Sequence, residues 1–139
     1  MSGIMIVRDI MSRNVKTVRP DDTVRDAVRK MNKFRIGSVV VVNSGRPTGI
    51  ITERNIHQSI VEPRHDPSSI RAKVIMTQPL ITIDPNTAVE EAAPIMANNT
   101  IKTLPVIEKN KILGILTSSD IVKNNPTPLS ILDELLPVG

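Results

Sequence analysis

Two nine-residue stretches carry groups suited to holding a sugar phosphate: GIITERNIH at Gly49–His57 and GILTSSDIV at Gly114–Val122. Each ends an apolar run on a threonine, Thr52 or Thr117, where a helix is expected to begin. A hydroxyl and unpaired main-chain N–H groups then meet at a positive helix end, which favours a phosphate. Three residues on, the carboxylate of Asp120 can accept two hydrogen bonds from the vicinal hydroxyls of a ribose. Asn55 holds the same place in the first stretch, with one acceptor oxygen and no charge. Arg54 beside it offers a cation for a phosphate. Plain helix capping by Thr117 and Ser119 explains the same residue types, so the two stretches have to be judged by what surrounds them.

Thr52 and Thr117 are 65 positions apart, and that offset, without a gap, lays Arg8–Ile56 onto Lys73–Ile121. Identities include Ile10/Ile75, Met11/Met76, Thr17/Thr82, Pro20/Pro85, Val24/Val89, Ala27/Ala92, Met31/Met96 and Gly49/Gly114. An internal repeat of this kind is one supersecondary unit used twice. VKTVRP and LITIDP read as short strands ended by proline. A helix follows in each copy: Val24, Ala27, Val28 and Met31 form one apolar stripe, and Thr87 with Glu90 has the pattern of a capping box. SVVVVN with TGIIT, and TLPVIE with ILGILT, read as hairpins turning at NSGRP and KNK. A second helix is expected from Arg54 and from Ser119. Pro94 lies inside the second copy's first helix, where a kink is expected. The fold class is therefore α/β (α+β), two tandem β-α-β-β-α repeats.

The boundaries follow from composition. Residues 1–61 make the first repeat, 62–72 an exposed linker rich in Pro, Ser and charge, and 73–125 the second repeat. Residues 126–139 read as a short amphipathic helix with Thr127 as N-cap, Pro128 at its first position and a stripe of Leu129, Leu132, Leu135 and Leu136. That stripe is expected to cover its own chain or a second subunit.

Composition removes several classes of function. The chain has 139 residues and no cysteine, which excludes disulfides, thiolate nucleophiles and Cys-ligated zinc. No run approaches the ~20 apolar residues that span a bilayer and no signal-peptide pattern opens the chain, so a soluble cytoplasmic protein is expected. The phosphate-loop, nucleophile-elbow and metalloprotease motifs are missing. His57 and His65 have no companions at metal-ligand spacing. Neither a metal site nor an enzyme is expected. Charge is uneven: residues 1–65 carry 12 Lys and Arg against 6 Asp and Glu, whereas residues 66–139 carry 6 against 8. The basic half suits phosphates of a nucleotide or a nucleic acid, although a solvated helix face has the same composition. With Phe34 as the one aromatic residue, there is no stacking platform for single strands.

The repeated pattern resembles the cystathionine-β-synthase (CBS) domain over IMSRNVKTVRPDDTVRDAVRKM, IGSVVVV and GIITERNI, and again over IMTQPLITIDPNTAVEEAAPIM, IKTLPVIE and GILTSSDI. The resemblance implies a Bateman module: two copies related by a pseudo-twofold axis, sensing energy or ligand state through adenine nucleotides such as AMP, ADP, ATP or S-adenosylmethionine in clefts between the copies. It implies one site with Thr117, Ser119 and Asp120 at phosphate and ribose and Lys16, Ile36 and Gly37 around the base. A second would use Thr52, Arg54 and Asn55, with Ile81, Ile101 and Lys102 around the base. Asn55 departs from the family's aspartate, so the Asp120 site is expected to bind more strongly. CBS pairs also imply a homodimer through helical faces, with Ile56, Ile60, Ile121 and Val122 as apolar surface. The alternatives are nucleic-acid binding through the basic first repeat and a purely structural dimerisation module.

Overall fold

The computed structural model describes residues 4–61 and 66–124, apart from the side chains of Ile60 and Val61. His65, the linker residues 62–65 and the expected tail helix lie outside it. In chain order the elements are α1 (Val7–Ile10), β1 (Thr17–Val18), α2 (Val24–Phe34), β2 (Ser38–Asn43), β3 (Arg46–Thr52), α3 (Glu53–Val61), α4 (Ala72–Ile75), α5 (Val89–Asn99), β4 (Thr103–Glu108), β5 (Lys111–Thr117) and α6 (Ser118–Asn124). They form two compact units. One is Val15–Leu80; the other joins the described residues of Met1–Asn14 to those of Ile81–Gly139.

In the first unit β1 runs parallel to β2, pairing Thr17 with Val40, and β2 runs antiparallel to β3. Ser44 (φ 51°) and Gly45 (φ 82°) connect the hairpin. Two left-handed residues in a two-residue turn match the right-handed twist of the strands. Thr23 caps α2: its hydroxyl accepts the Asp26 N–H at 3.1 Å and the Asp26 carboxylate accepts the Thr23 N–H at 2.9 Å. That pair of bonds satisfies two groups the helix start would otherwise leave open. Of the stripe read from sequence, Val24, Ala27 and Met31 are buried, Ala27 and Met31 in one cluster with Val39, Val41 and Ile51, while Val28 is half-buried.

The second unit repeats this plan at the same 65-residue offset. β4 pairs antiparallel with β5, turning at Lys109 (φ 52°) and Asn110 (φ 63°). Val89, Ala92 and Met96 of α5 are buried with Leu104, Val106, Leu116 and Ile121. Both hairpins shift register at one position, between Val41 and Val42 and between Val106 and Ile107. Both first helices end on a left-handed residue, Arg35 and Thr100.

Several expectations change. LITIDP forms no named strand; its contribution is a parallel bridge from Ile83 to Val106. The helices expected at Arg54 and Ser119 begin one residue earlier, at Glu53 and Ser118. Thr87 does not cap α5. The N-cap is Ala88, with no side-chain bond, and the first helical N–H, on Val89, is taken by the carbonyl of Met5 at 2.9 Å. In the first unit the matching N–H, on Val24, bonds the carbonyl of Ile70 at 2.9 Å. α5 runs unbroken through Pro94, which lies on its exposed face, where water can reach the carbonyl that lost its partner.

Those two carbonyls belong to segments that sequence periodicity did not place. Residues 66–80 dock on the first unit, with Ala72 fully buried and Lys73 paired to Asp21 at 3.0 Å. Residues 4–14 dock in the same way on the second unit, burying Val7 and Met11 and pairing Arg8 with Glu108 at 3.4 Å. The docked segments explain both motif glycines. A Cβ on Gly49 would stand 2.5 Å from the Met76 sulfur, and one on Gly114 would stand 2.7 Å from both the Met11 sulfur and the Ser12 carbonyl oxygen.

Candidate functional site

Thr117 is the last residue of β5 and its side chain is half-buried. Its N–H donates to Asp120 Oδ2 at 2.9 Å, and its hydroxyl accepts the Asp120 N–H at 3.2 Å. This is a capping box for α6, so the capping explanation holds for Thr117. The Ser118 N–H donates to the Lys102 carbonyl at 3.0 Å. Three N–H groups of this junction are therefore already bonded, which leaves exposed Ser119 to offer an amide and a hydroxyl. Asp120 is half-buried, and one of its two carboxylate oxygens makes no hydrogen bond among the described residues. That oxygen can accept from an incoming hydroxyl, with the box holding the carboxylate in place.

The first unit makes the same box with a different balance. Asn55 Oδ1 accepts from both the N–H and the hydroxyl of Thr52, each at 2.9 Å. Its Nδ2 donates to Thr77 Oγ1 at 3.1 Å. Thr77 itself exchanges main-chain hydrogen bonds with Ile50, at 2.8 and 3.2 Å. The asparagine is thus a tie between α3 and the docked segment, with its amide oxygen and nitrogen both engaged. Ser12 stands where the 65-residue offset puts the partner of Thr77, and it exchanges main-chain bonds with Ile115 at 2.8 and 2.9 Å. Its hydroxyl accepts the N–H of Asn14 at 3.2 Å and makes no bond to Asp120. Ser12 and Thr77 were missed by motif reading; carrying the Met11/Met76 alignment one residue further finds them.

The remaining candidates group by unit. Ile81 and Ile101 are half-buried against the core of the second unit, and Lys102 beside them is exposed. Ile36, Gly37 and Arg54 line one groove of about 860 Å³ in the first unit. Gly37 has no conformational need to be glycine, since a Cβ there would meet only Glu53 Oε1 at 3.8 Å. Lys16 lies over the Phe34 ring, 4.2 Å from its centre. His57 is exposed on α3, and no group of three His, Asp or Glu among the described residues could hold a metal ion. No helix among them is long and apolar enough to cross a membrane. Of the apolar surface expected for a dimer, Ile121 is a core residue at 1 % exposure and Ile56 is half-buried, while Val122 is 41 % exposed. Ile121 is therefore withdrawn from that surface: it lies on the inward face of a seven-residue helix.

The family model of the CBS domain matches residues 7–62 and 71–126. The chain belongs to the CBS-domain family. An uncharacterized protein of Methanopyrus kandleri is 36 % identical over 130 residues, covering 92 % of this chain and 66 % of that protein. The crystal structure of an uncharacterized conserved protein from Pyrococcus horikoshii is 30 % identical, with a TM-score of 0.81 and all of both chains covered. The CBS domain pair of protein MJ0100, solved in complex with 5′-methylthioadenosine and S-adenosyl-L-methionine, is 27 % identical, with a TM-score of 0.79 over 87 % of this chain and 95 % of that one. The mixed α/β fold is thus a tandem CBS pair.

Proposed function

We propose that this CBS pair is a non-catalytic regulatory module that takes one adenosine-containing ligand per chain, of the AMP, ADP or ATP type, at its second repeat. The observation that carries the reading is the contrast between the two capping boxes: Asp120 keeps a carboxylate oxygen without a protein partner, whereas Asn55 is committed to Thr52 and Thr77. Asp120 receives the ribose hydroxyls and Ser119 faces the phosphate side. Ile81, Ile101 and Lys102, which the family resemblance assigned to the Asn55 site, belong to the same unit as Asp120 and frame the base in this reading in place of Lys16, Ile36 and Gly37. The adenosine compounds in the MJ0100 complex support this ligand class. Full coverage of the Pyrococcus chain supports a CBS pair acting without a catalytic domain.

The test is calorimetric titration with AMP, ADP, ATP, NAD and S-adenosylmethionine, for which one site per chain is expected. A thermal-shift series with adenosine, AMP, ADP and ATP then separates the ribose from the phosphate. A ligand at a hundredfold excess over Kd stabilises by ~2.7 kcal/mol, several degrees for a chain of this size. Adenosine stabilising as well as AMP would remove the phosphate role, and no stabilisation by any of them would leave a structural module.

A further inference from the structure

In the first unit β1, α2 and β2 form a strand-helix-strand crossover with parallel strands, and one end of it holds a groove of about 940 Å³. The groove lies where Arg19 and Pro20 leave β1 and where Val42 and Asn43 end β2. These are the carboxyl ends of the parallel strands, the side on which such units hold ligands. The nucleotide candidates of this unit sit at the opposite end of the sheet: Ser38 pairs with Thr52 and Asn43 with Arg46, five residues apart along β2, or about 17 Å. None of the residues assigned to nucleotide or dimer contacts lines this groove. Three cations, Arg19, Lys30 and Lys73, line it together with Asp21 and Asp22. Lys73 is paired with Asp21 at 3.0 Å, and one oxygen of Asp22 accepts the Arg19 N–H at 2.8 Å. Lys30 is half-buried and donates one of its three protons to the Thr17 carbonyl. Its other two protons and the exposed guanidinium of Arg19 have no partner among the described residues. At the 65-residue offset the second repeat keeps a cation for Lys73, Arg8, but has Asp84 for Arg19 and Ile95 for Lys30. The same fold is therefore built without the two unpaired cations.

We infer that this groove binds a phosphorylated polyol, of the sugar-phosphate class, with its phosphate between Arg19 and Lys30. A guanidinium fork and an ammonium both suit a phosphate dianion. The second carboxylate oxygen of Asp22 and the amide nitrogen of Asn43 make no hydrogen bond among the described residues, and they serve the ligand's hydroxyls as acceptor and donor. With Lys73 neutralised by Asp21, the groove keeps one positive charge in excess over Asp22. Its lining has no aromatic ring, and its apolar residues, Val18, Pro20 and Val42, are buried or half-buried, so a nucleobase has no slot there. The ligand class thus differs from the adenosine compounds proposed for Asp120, and neither reading rests on the other.

The probes are glycerol 3-phosphate, ribose 5-phosphate and glucose 6-phosphate, titrated calorimetrically into the full chain, with inorganic phosphate and glucose run in parallel. At least one sugar or glycerol phosphate is expected to bind about tenfold more tightly than inorganic phosphate, the gain of one or two hydroxyl hydrogen bonds, with affinity falling as salt rises. In a proton-nitrogen correlation spectrum the same ligand should shift the main-chain amides of Arg19, Asn43 and Gly45. Arg19→Asp and Lys30→Ile, which approximate the second repeat, should each weaken binding at least about tenfold, the scale of a lost hydrogen bond to a charged group. Lys30→Ile also leaves the Thr17 carbonyl without its donor, so Arg19→Asp, on an exposed side chain, is the deciding variant; circular dichroism melts check that both fold. Wild-type affinity in Arg19→Asp overturns the inference, as does the lack of saturable binding by all three phosphates. Inorganic phosphate binding as tightly as the best of them removes the polyol and overturns it too. Loss of binding in Asp120→Asn with Arg19→Asp unaffected assigns the ligand to the second repeat and overturns the groove.

Discussion

Asp120 Oδ2 accepts the main-chain N–H of Thr117 at 2.9 Å, and the residue 65 positions earlier, Asn55, repeats that bond to Thr52 while also donating to Thr77. One atom separates the two side chains, and it changes what each site can do. A carboxylate with a spare oxygen is a ligand for hydroxyls; an amide tied at both ends is part of the scaffold.

The ribose assignment is tested by Asp120→Ala, which should weaken adenosine-ligand binding by ~1.5–3 kcal/mol, the scale of hydrogen bonds to a charged group. Because the same change opens the α6 cap, Asp120→Asn serves as the second variant: its amide oxygen keeps the bond to Thr117 and its charge is gone. Calorimetry should show both variants weakened and Asn55→Ala nearly as tight as wild type. Wild-type affinity in Asp120→Ala would end the assignment.

Alanine at the two motif glycines should destabilise to different degrees. At Gly49 the added Cβ meets the movable end of Met76, with the Thr77 carbonyl oxygen at 3.0 Å; at Gly114 it meets the Ser12 carbonyl oxygen at 2.7 Å. Overpacking of this kind costs ~1–3 kcal/mol, and Gly114→Ala should lie at the upper end because backbone cannot swing away. Urea melts give the comparison. Met76→Ala should partly rescue Gly49→Ala, while Met11→Ala should do little for Gly114→Ala.

Thr23→Ala should cost ~1 kcal/mol by removing the α2 cap. The Thr23 amide and hydroxyl also hold the Asp26 carboxyl below its ordinary value of 3.8. A carboxyl depressed in the folded state contributes stability above its unfolded pKa and loses it as pH falls through the folded one. Wild type should therefore lose slightly more stability than Thr23→Ala as pH falls below the ordinary carboxylate value, a small difference because Asp26 is exposed and its bond from the Thr23 amide survives the substitution. Equal acid slopes in denaturant melts would remove the Thr23 hydroxyl from the pH response.

Self-association follows the family expectation of a homodimer, and light scattering should give twice the 15.3 kDa chain mass. With Ile121 in the core, Val122→Asp on α6 is the substitution chosen to weaken such a dimer without opening the core. A monomer at every concentration would refute the dimer.

The sequence by itself determined the repeat, its 65-residue offset, the hairpins turning within NSGRP and KNK, the apolar stripe of α2 with its identical counterparts in α5, and the strand-to-helix threonines. Each is written in local periodicity or in turn and capping residues, which act over a few positions. It also singled out Asp120 over Asn55 on charge alone. That each turn is only two residues long, Ser44–Gly45 and Lys109–Asn110, is a finding of the structure. Only the tertiary structure decided that residues 4–14 and 66–80 lie on the units they serve, that Met5 rather than Thr87 meets the start of α5, and that Asn55 is bound to Thr77. The two motif glycines, plain in the sequence, acquire their reason there too, as the floor under Met11 and Met76. These contacts join residues 22 to 103 positions apart, and no local spacing encodes them; they form because buried main-chain donors and acceptors must find partners wherever the packed chain brings them.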